Sequence, residues 1–227
     1  MQKYCVITGA SGGLGSELAV QLSELGYELV LSGRNREKLH VVAKRCVTKT
    51  HINVADLIDA AQVDSLARES VQVFGCAPNL VINCAGKGLF GQLDDLDSKA
   101  ISQTLLVNQL AVIFCCQAFA PCLKKQGGTI VNVMSTAAQK GKANESVYCA
   151  AKWGVRGFTE SLREEYKATD VRIVAVYPAG MNTEFWKNSD VDYSIDSFMS
   201  PKDAATMITT ALTQVDKGFV SDIVLSR

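Results

Sequence analysis

The chain has 227 residues, 48% of them hydrophobic, which is enough to bury a full core, and we expect one catalytic domain over residues 1–227. Its 23 lysines and arginines equal its 23 aspartates and glutamates, and no basic run occurs, so we expect no nucleic-acid partner. No stretch approaches the roughly 20 apolar residues of a membrane span, and the start leads into a strand-like run instead of a signal peptide, so we expect a cytoplasmic protein without membrane contact.

Short apolar runs alternate with longer helical patterns along the whole chain. The predicted strands are Tyr4–Thr8, Glu28–Ser32, Lys49–Ile52, Leu80–Asn83, Thr129–Met134, Val171–Tyr177 and Phe219–Val224. The predicted helices are Leu14–Leu25, Arg36–Lys44, Ala60–Phe74, Lys99–Leu123, Ser146–Ala168 and Lys202–Gln214. Continuous apolar strands joined by helices are typical of a parallel sheet covered on both faces. The pattern predicts an α/β fold, a single doubly wound Rossmann-type domain with a seven-stranded parallel sheet and a ligand crevice beyond the carboxyl ends of the strands.

A glycine-rich loop runs from Thr8 to Gly15, between the first strand and the first helix. Gly9 permits the tight turn, Gly13 lets the main chain approach a phosphate, and Gly15 lets the helix pack on the strand. Loops of this kind also use glycine for backbone reasons alone. The position directly after an apolar strand favours a pyrophosphate site at the helix amino end.

Tyr148 and Lys152 are four residues apart, so on a helix they project from one face, and Ser135 precedes the tyrosine by thirteen residues. An ammonium group near a phenol favours the phenolate, and each unit of pKa lowering needs about 1.4 kcal/mol. Taken singly, a serine after a strand is often a turn former, and Tyr-x-x-x-Lys is often a packed ring beside a solvated charge. Their occurrence with the glycine loop indicates a hydride-transfer site.

Metal chemistry has little support in the sequence. The eight cysteines include no Cys-x-x-Cys pair and mostly lie among apolar residues, which indicates small buried side chains in a reducing compartment. The two histidines, His40 and His51, have no neighbour at ligand spacing. We expect no metal site.

Six motifs occur in the order and spacing of the short-chain dehydrogenases/reductases, and the chain resembles that family over nearly its whole length. The motifs are Thr8-Gly9-x-x-x-Gly13-x-Gly15, Asn83-Cys84-Ala85-Gly86, Asn108, Ser135, Tyr148-x-x-x-Lys152 and Pro178-Ala179-Gly180-x-x-Thr183. The resemblance implies a nicotinamide-dependent oxidoreductase that reduces a ketone or aldehyde to an alcohol, or catalyses the reverse. It also implies a homodimer or homotetramer, and the apolar helix around Asn108 suits such an interface.

The resemblance also implies a role for each matching residue. Tyr148 would be the general acid and base, Lys152 would lower its pKa and bind the nicotinamide ribose, and Ser135 would hold the substrate oxygen. Asn108 would hold a water that links Lys152 to solvent, although an asparagine inside a helix can instead satisfy a local backbone group. The implied cofactor-binding residues are Gly9, Ser11, Gly12, Gly13, Leu14, Gly15, Arg34, Asn53, Val54, Asn83, Ala85, Gly86, Tyr148, Lys152, Pro178, Gly180, Met181 and Thr183.

The end of the second strand bears on the choice of cofactor. Members of the resembled family that prefer NAD place an acidic residue where this chain has Gly33, and Arg34 follows. A missing carboxylate removes repulsion of a 2′-phosphate, and a guanidinium can bind it, although Arg34 could equally face solvent. We expect NADP(H) to be preferred, with NAD(H) as the alternative.

Two departures from the family pattern bear on the cofactor site. Asn53 stands where the family has an aspartate near the adenine, and Pro178-Ala179-Gly180 replaces its proline-glycine. An amide can still contact adenine, with a different donor and acceptor pattern. We expect the cofactor pose to be kept, with a local adjustment around Met181.

Substrate identity would depend on the loop of about residues 181–200 and on the segment between Ser135 and Tyr148. Aromatic and apolar side chains of the loop could form a lid over a carbonyl substrate or pack between subunits: Phe185, Trp186, Tyr193, Phe198 and Met199. Polar residues of the segment could line the pocket mouth or form a solvated loop: Lys140, Lys142, Asn144 and Glu145. A catalytically silent NAD(P)-sensing protein is the alternative function; such proteins usually lose the tyrosine or lysine, and this chain keeps both.

Overall fold

The seven predicted strands are present, and all pair in parallel in one sheet. The structure, a computed structural model, describes residues 2–186, 194–213 and 218–226. The strands are β1 (Lys3–Thr8), β2 (Tyr27–Gly33), β3 (Thr50–Val54), β4 (Leu80–Asn83), β5 (Gly128–Val133), β6 (Val171–Pro178) and β7 (Asp222–Leu225). Their order across the sheet is β3-β2-β1-β4-β5-β6-β7. This confirms the predicted doubly wound α/β fold, and the order reverses between β1 and β4, where such sheets form their ligand crevice.

The helices follow the predicted alternation with the strands. They are α1 (Gly13–Glu24), α2 (Arg36–Ala43), α3 (Ala60–Phe74), α4 (Ser98–Leu105), α5 (Ala111–Gln126), α6 (Ser146–Tyr166) and α7 (Pro201–Thr213). The single helix predicted over Lys99–Leu123 is α4 and α5, joined by a π-helical turn at Leu106–Leu110 that contains Asn108. The predicted end of the last helix, Gln214, lies outside the described residues. The predicted strand from Phe219 begins only at Asp222.

Two apolar layers form because successive strand residues point to opposite faces of the sheet. Val6 and Val81 pack on one side with α3, α5 and α6, whereas Ile7 and Ile82 pack on the other with α1, α2 and α7. All four side chains are fully buried. Continuously apolar strands are therefore explained by helices on both faces.

The continuous run Ser98–Gln126 is long and apolar enough to cross a membrane by length and composition, contrary to the expectation from the sequence. In the fold it has another explanation, because α5 packs against α3, α6 and the sheet. Cys115, Cys116 and Phe119 from this helix lie in the core. Of the most apolar window of this run, 33% is buried inside the fold.

Candidate active site

The glycine-rich loop joins β1 to α1 and lies against the chain that follows β4. Gly9 has a φ angle of +65°, and a Cβ atom there would lie 2.6 Å from the Cα atom of Ala85, so only glycine fits. A Cβ atom on Gly15 would collide with the carbonyl group of Gly9, so glycine there lets α1 pack on the loop. At Gly12 a Cβ atom would meet only the Gly9 carbonyl oxygen, at 3.3 Å. The amino end of α1 is therefore accessible at the sheet edge, where it suits an anion.

Gly13 has a packing role that the sequence did not indicate. A Cβ atom on it would lie 3.1 Å from the Cβ atom of Thr183 and 3.6 Å from the Cγ atom of Pro201. The loop after β6 and the start of α7 thus approach the first turn of α1. Glycine at this position lets the two sides of the crevice come together.

A cleft of about 660 Å³ lies at the carboxyl edge of the sheet, in the predicted crevice. All but three of the residues that the sequence assigned to the cofactor line it: Gly9, Ser11, Gly12, Gly13, Leu14, Gly15, Arg34, Ala85, Gly86, Tyr148, Lys152, Pro178, Gly180, Met181 and Thr183. The three exceptions are Asn53, Val54 and Asn83, which do not line it. The structure thus brings together glycines, cations and catalytic candidates that are far apart in the sequence.

Asn53 does not line the cleft, and its contact with the adenine stays a prediction. Its side chain accepts a hydrogen bond from Ser32 at 3.4 Å and donates one to Glu69. Val54 ends β3 and also lies outside the cleft lining. The chain enters the cleft only beyond the strand, at residues 55–58, where Asp56 is the acidic residue.

Asn83 also lies outside the cleft lining, and it is a core residue that links the sheet to α6. Its amide nitrogen donates to Asn132 on β5 at 2.9 Å, and Asn132 donates in turn to Thr159 on α6 at 3.0 Å. Asn83 is 1% exposed. Its contribution is to hold β4 and β5 in register next to α6, and the cleft begins at the next residue, Cys84.

The three catalytic candidates converge at the cleft. Tyr148 and Lys152 lie in the first two turns of α6 and are 6% and 3% exposed. Ser135 follows β5, where its hydroxyl accepts a hydrogen bond from the Ala137 N–H group at 3.1 Å and lies near enough to Tyr148 to affect the pKa of its phenol. The Lys152 ammonium donates to the Val133 carbonyl at 3.3 Å and lies 5.7 Å from the centre of the tyrosine ring.

Burial controls the charge of this group of residues. It raises the pKa of Tyr148 well above its usual value, the hydrogen bond from Ser135 opposes this rise, and the nearby carboxylate of Glu145 adds to it. Burial also lowers the pKa of Lys152 to about 8. The expectation that Lys152 lowers the pKa of Tyr148 stays a prediction.

The Asn108 side chain bonds to main-chain groups. In the sequence analysis, such bonds are the alternative to holding a water. Its amide nitrogen donates to the carbonyl groups of Lys87 at 2.7 Å and of Thr104 at 2.9 Å, and its oxygen accepts from the Lys87 N–H group at 3.1 Å. It is fully buried and does not line the cleft. Asn108 therefore fixes the chain that follows Gly86, whose Cβ position would lie 3.6 Å from the Lys152 ammonium.

Aromatic side chains cover the tyrosine. Phe185 packs edge-on against Tyr148 with 5.7 Å between ring centres, and Trp186 stacks on Phe90 at 4.8 Å. The Trp186 indole donates to the Met181 carbonyl at 2.8 Å, which anchors this lid to the chain after β6. Sequence reasoning missed Phe90, an aromatic residue soon after the Asn83-Cys84-Ala85-Gly86 motif. Of the residues assigned to the lid, Tyr193 lies outside the described part of the chain.

Polar side chains form another part of the cleft wall. Lys142 and Glu145 line the cleft, whereas Lys140 and Asn144 do not. The Glu145 carboxylate lies 3.9 Å from the Lys142 ammonium, and the Glu145 residue is only 3% exposed. A buried carboxylate therefore lies in the wall near the phenol of Tyr148.

Two cations lie at the far end of the cleft, next to β2. Arg34 is exposed and lines the cleft together with Lys38, a residue that the sequence did not single out. Lys38 forms an ion pair with Glu184 at 3.3 Å, which spans the cleft to the loop after β6. A side chain on Gly33 would approach the Ser11 hydroxyl, 3.3 Å from its Cβ position. No acidic residue stands at the end of β2 to repel an anion.

Such an arrangement, with an open anion site at a helix amino end and a buried tyrosine–lysine pair in one cleft, defines a dinucleotide-dependent oxidoreductase. The sequence model described as short chain dehydrogenase matches residues 3–194, so the chain belongs to the short-chain dehydrogenase family. It is accordingly an oxidoreductase of the kind that acts on CH–OH and C=O groups. Among the described residues, no cluster of three or more metal-ligating side chains occurs.

Individual relatives resemble the chain over almost its whole length. It is 31% identical to sepiapterin reductase from Chlorobaculum tepidum, over 99% of this chain and 96% of the relative. A short-chain dehydrogenase/reductase from Vibrio parahaemolyticus has 39% identity and a TM-score of 0.87, with 97% of this chain and 98% of that chain covered. A metagenomic short-chain oxidoreductase solved in complex with NADP has 28% identity and a TM-score of 0.85, over 99% and 96% of the two chains.

Proposed function

We propose that the protein uses NADPH to reduce a ketone or aldehyde to an alcohol, or catalyses the reverse, with Tyr148 as general acid and base. The observation that carries the proposal is the burial of Tyr148 and Lys152 beside Ser135 at one end of the cleft. Arg34 and Lys38 line the other end of the same cleft. A proton donor at one end and two cations at the other match the nicotinamide and the 2′-phosphate ends of NADPH.

The residues of the cleft fit the rest of the dinucleotide. The amino end of α1, beside Gly12, would hold the pyrophosphate. Arg34 and Lys38 would form charge-assisted hydrogen bonds with the 2′-phosphate. Asp56 would accept a hydrogen bond from the adenine amino group, the role first assigned to Asn53.

A bound nicotinamide supplies the hydride, and the chain supplies the proton and the positioning. Tyr148, which burial keeps protonated at neutral pH, donates its proton to the substrate oxygen. Ser135 donates a hydrogen bond to the same oxygen from a fixed position. Lys152 donates to the ribose and stabilises the phenolate that remains. Asn108 acts as a positioning residue through its bonds to the Lys87 main chain.

The relatives support this choice of chemistry. The metagenomic oxidoreductase was solved with NADP, and the Chlorobaculum tepidum relative is named as a reductase. The silent-sensor alternative is less favoured because Ser135, Tyr148 and Lys152 all occur together at the cleft. We therefore place catalysis ahead of sensing in this proposal.

Two measurements test the proposal. Titration with NADPH and NADH, followed by the fluorescence of Trp186 in the cleft wall, should give tighter binding of NADPH. Tyr148→Phe should keep that binding and lower turnover of a carbonyl substrate by about 100-fold or more, because it removes the proton donor. Tyr166→Phe is the matched control, since Tyr166 lies on the same helix but outside the cleft. Equal turnover in wild type and Tyr148→Phe would contradict the mechanism, and binding without turnover of any carbonyl or alcohol would favour the sensor.

We also propose a cytoplasmic homodimer or homotetramer built on α4 and α6. Leu105 on α4 and Trp153 on α6 are 37% and 45% exposed, and the two helices pack on each other. Apolar side chains on neighbouring helices suit a subunit contact. Sedimentation equilibrium should give an oligomer that Leu105→Glu weakens, and a monomeric wild type would contradict this.

A further inference from the structure

Aromatic side chains are concentrated around the proposed proton donor. Five of them form one connected group, which we call the aromatic cluster: Phe90, Tyr148, Phe185, Trp186 and Phe198. Neighbouring ring centres in the cluster lie between 4.8 and 6.1 Å apart. The rings come from three separate parts of the chain, namely the loop after β4, helix α6 and the loop after β6. The fold thus assembles them at the cleft.

Part of the aromatic cluster forms the wall of the cleft. Tyr148 packs with Ala137 and Cys149 in an apolar group apart from the two layers that cover the sheet, and Phe185 packs against this group. Phe185 and Trp186 both line the cleft. Concave apolar surfaces with a few polar groups are typical of small-molecule sites. The cleft therefore offers an apolar surface beside the phenol of Tyr148.

Glycine at position 88 is required by the rings and not by its own backbone. Its φ angle lies outside the left-handed region. A Cβ atom on Gly88 would lie 2.7 Å from the Cζ atom of Phe90 and 3.1 Å from the Cε1 atom of Phe185. Carbon atoms in contact normally stay about 3.5 Å apart or more. The two rings can therefore meet only because position 88 has no side chain.

Phe185 contacts its neighbours in a geometry that aromatic rings prefer. It is edge-on to Tyr148 at 5.7 Å and to Phe90 at 5.8 Å, with interplanar angles of 64° and 72°. Edge-to-face pairs are favourable because the positive edge of one ring meets the negative face of the other. A saturated ring has no such charge pattern. A cleft wall made of aromatic rings should therefore distinguish an aromatic ligand from a saturated ligand of the same size.

We propose that the substrate carries an aromatic ring next to its carbonyl group, and that Phe185 selects this ring. The inference rests on the proposed reductase function and narrows its substrate class. The carbonyl oxygen would lie at Tyr148 and Ser135, with the aromatic ring against the part of Phe185 that lines the cleft. The carbonyl carbon would take a hydride from NADPH and the oxygen a proton from Tyr148, which leaves an alcohol and NADP⁺. Gly88 would act as a positioning residue, because it lets Phe90 hold Phe185 in place.

Two alcohols of nearly equal size test the ring preference without any turnover. Benzyl alcohol and cyclohexylmethanol would each be titrated into the protein without cofactor while Trp186 fluorescence is followed. Cyclohexylmethanol is the more apolar of the two, so a wall that offers only apolar surface should bind it more tightly. An edge-to-face contact should reverse this order. Wild type should bind benzyl alcohol about 2-fold to 10-fold more tightly, the range for one aromatic pair.

Two variants alter the ring wall in different ways. Phe185→Leu keeps an apolar side chain but removes the ring, so it should bind cyclohexylmethanol at least as tightly as benzyl alcohol. Gly88→Ala keeps every ring but pushes Phe90 and Phe185 apart, so it should also lower the preference for benzyl alcohol. Two controls should keep the wild-type preference. Phe219→Leu changes a ring that is 47% exposed and outside the cleft, and a Cβ atom at Gly141 meets nothing within 4 Å in Gly141→Ala.

The binding data overturn the proposal if wild type binds the two alcohols equally or binds cyclohexylmethanol more tightly. A preference that persists unchanged in Phe185→Leu or in Gly88→Ala overturns it as well. Gly88→Ala keeps the test decisive if the Phe185 variant does not fold, because it leaves the Phe185 side chain in place.

Turnover then separates this inference from the proposed function. Conjugation with the ring makes acetophenone less electrophilic than cyclohexyl methyl ketone, so the ratio of their kcat/KM values with NADPH is compared between wild type and Phe185→Leu. The ratio should fall about 2-fold to 10-fold in the variant. If neither ketone is reduced while the binding preference holds, the proposed function fails and the aromatic site stands. If both ketones are reduced with a ratio that Phe185→Leu does not change, the proposed function stands and the inference about the aromatic ring fails.

Discussion

The Ser135 side chain lies close enough to Tyr148 to lower the pKa of its phenol, although one residue follows β5 and the other lies in the first turn of α6. This effect opposes the larger effect of burial, which raises the pKa of the phenol. The Ser135 hydroxyl is itself held by the Ala137 N–H group at 3.1 Å. The serine is thus fixed beside the group that we propose as the proton donor.

Loss of the Ser135 hydroxyl should slow the chemical step. We expect Ser135→Ala to lower kcat by about 100-fold, since it removes a preorganised donor to the substrate oxygen. NADPH affinity should stay within about twofold of wild type. Steady-state kinetics with fluorescence titration of the cofactor separate the two effects. Ser146→Ala, an exposed serine at the start of α6, is the matched control. A change in KM alone would mean that Ser135 binds the substrate and the transition state equally.

Arg34 should discriminate between the two nicotinamide cofactors. Arg34→Gln should weaken NADPH binding by roughly 10-fold to 100-fold, the range for a hydrogen bond to a charged group, and leave NADH binding nearly unchanged. Lys38→Gln should have a smaller effect, because Lys38 is exposed and must leave Glu184 to reach the phosphate. Arg36→Gln, an exposed residue outside the cleft, is the control. An equal loss of affinity for both cofactors would exclude Arg34 as the residue that recognises the 2′-phosphate.

The stability of the protein should depend on pH through Lys152. Burial lowers its pKa from the ordinary 10.5 to about 8, so between these values the unfolded chain binds more protons and stability rises with pH. Lys152→Met has no ammonium group at this position, so it should not gain stability from this deprotonation. From pH 7.5 to 9.5 we expect wild type to gain roughly 1–2 kcal/mol of unfolding free energy relative to the variant.

Urea unfolding at the two pH values measures this difference. Lys167→Met provides the control, because the Lys167 side chain is 72% exposed and is not desolvated by folding. If the wild type and Lys152→Met curves move in parallel between the two pH values, the ammonium is not buried as described.

Two glycines of the first loop should respond differently to alanine. Gly9→Ala places a Cβ atom against the Ala85 main chain at a φ angle of +65°, and we expect it to cost more than about 1 kcal/mol of unfolding free energy. Gly12→Ala meets only one oxygen, at 3.3 Å, and should cost far less. Thermal and urea unfolding compare the two variants. Similar losses in both would mean that the loop relaxes around the new side chain.

The sequence determined the elements and the catalytic candidates because those signals are local. A spacing of four puts Tyr148 and Lys152 on one helical face, and apolar runs bounded by glycine mark the strands. The positions of β1, β4 and the glycine loop follow from such patterns, and the structure confirms the parallel sheet that they predict. Even the π-helical turn at Asn108 leaves the predicted helical run continuous.

The tertiary structure decided where each side chain points when its partners come from distant parts of the chain. The Asn53 side chain bonds to Glu69, Asp56 lines the cleft, and Asn108 bonds to Lys87. The path of the chain beyond a strand and the burial of a side chain such as Glu145 depend on how separate elements pack, and no local spacing records this. Burial of the Tyr148 phenol, which raises its pKa, is likewise a product of tertiary packing.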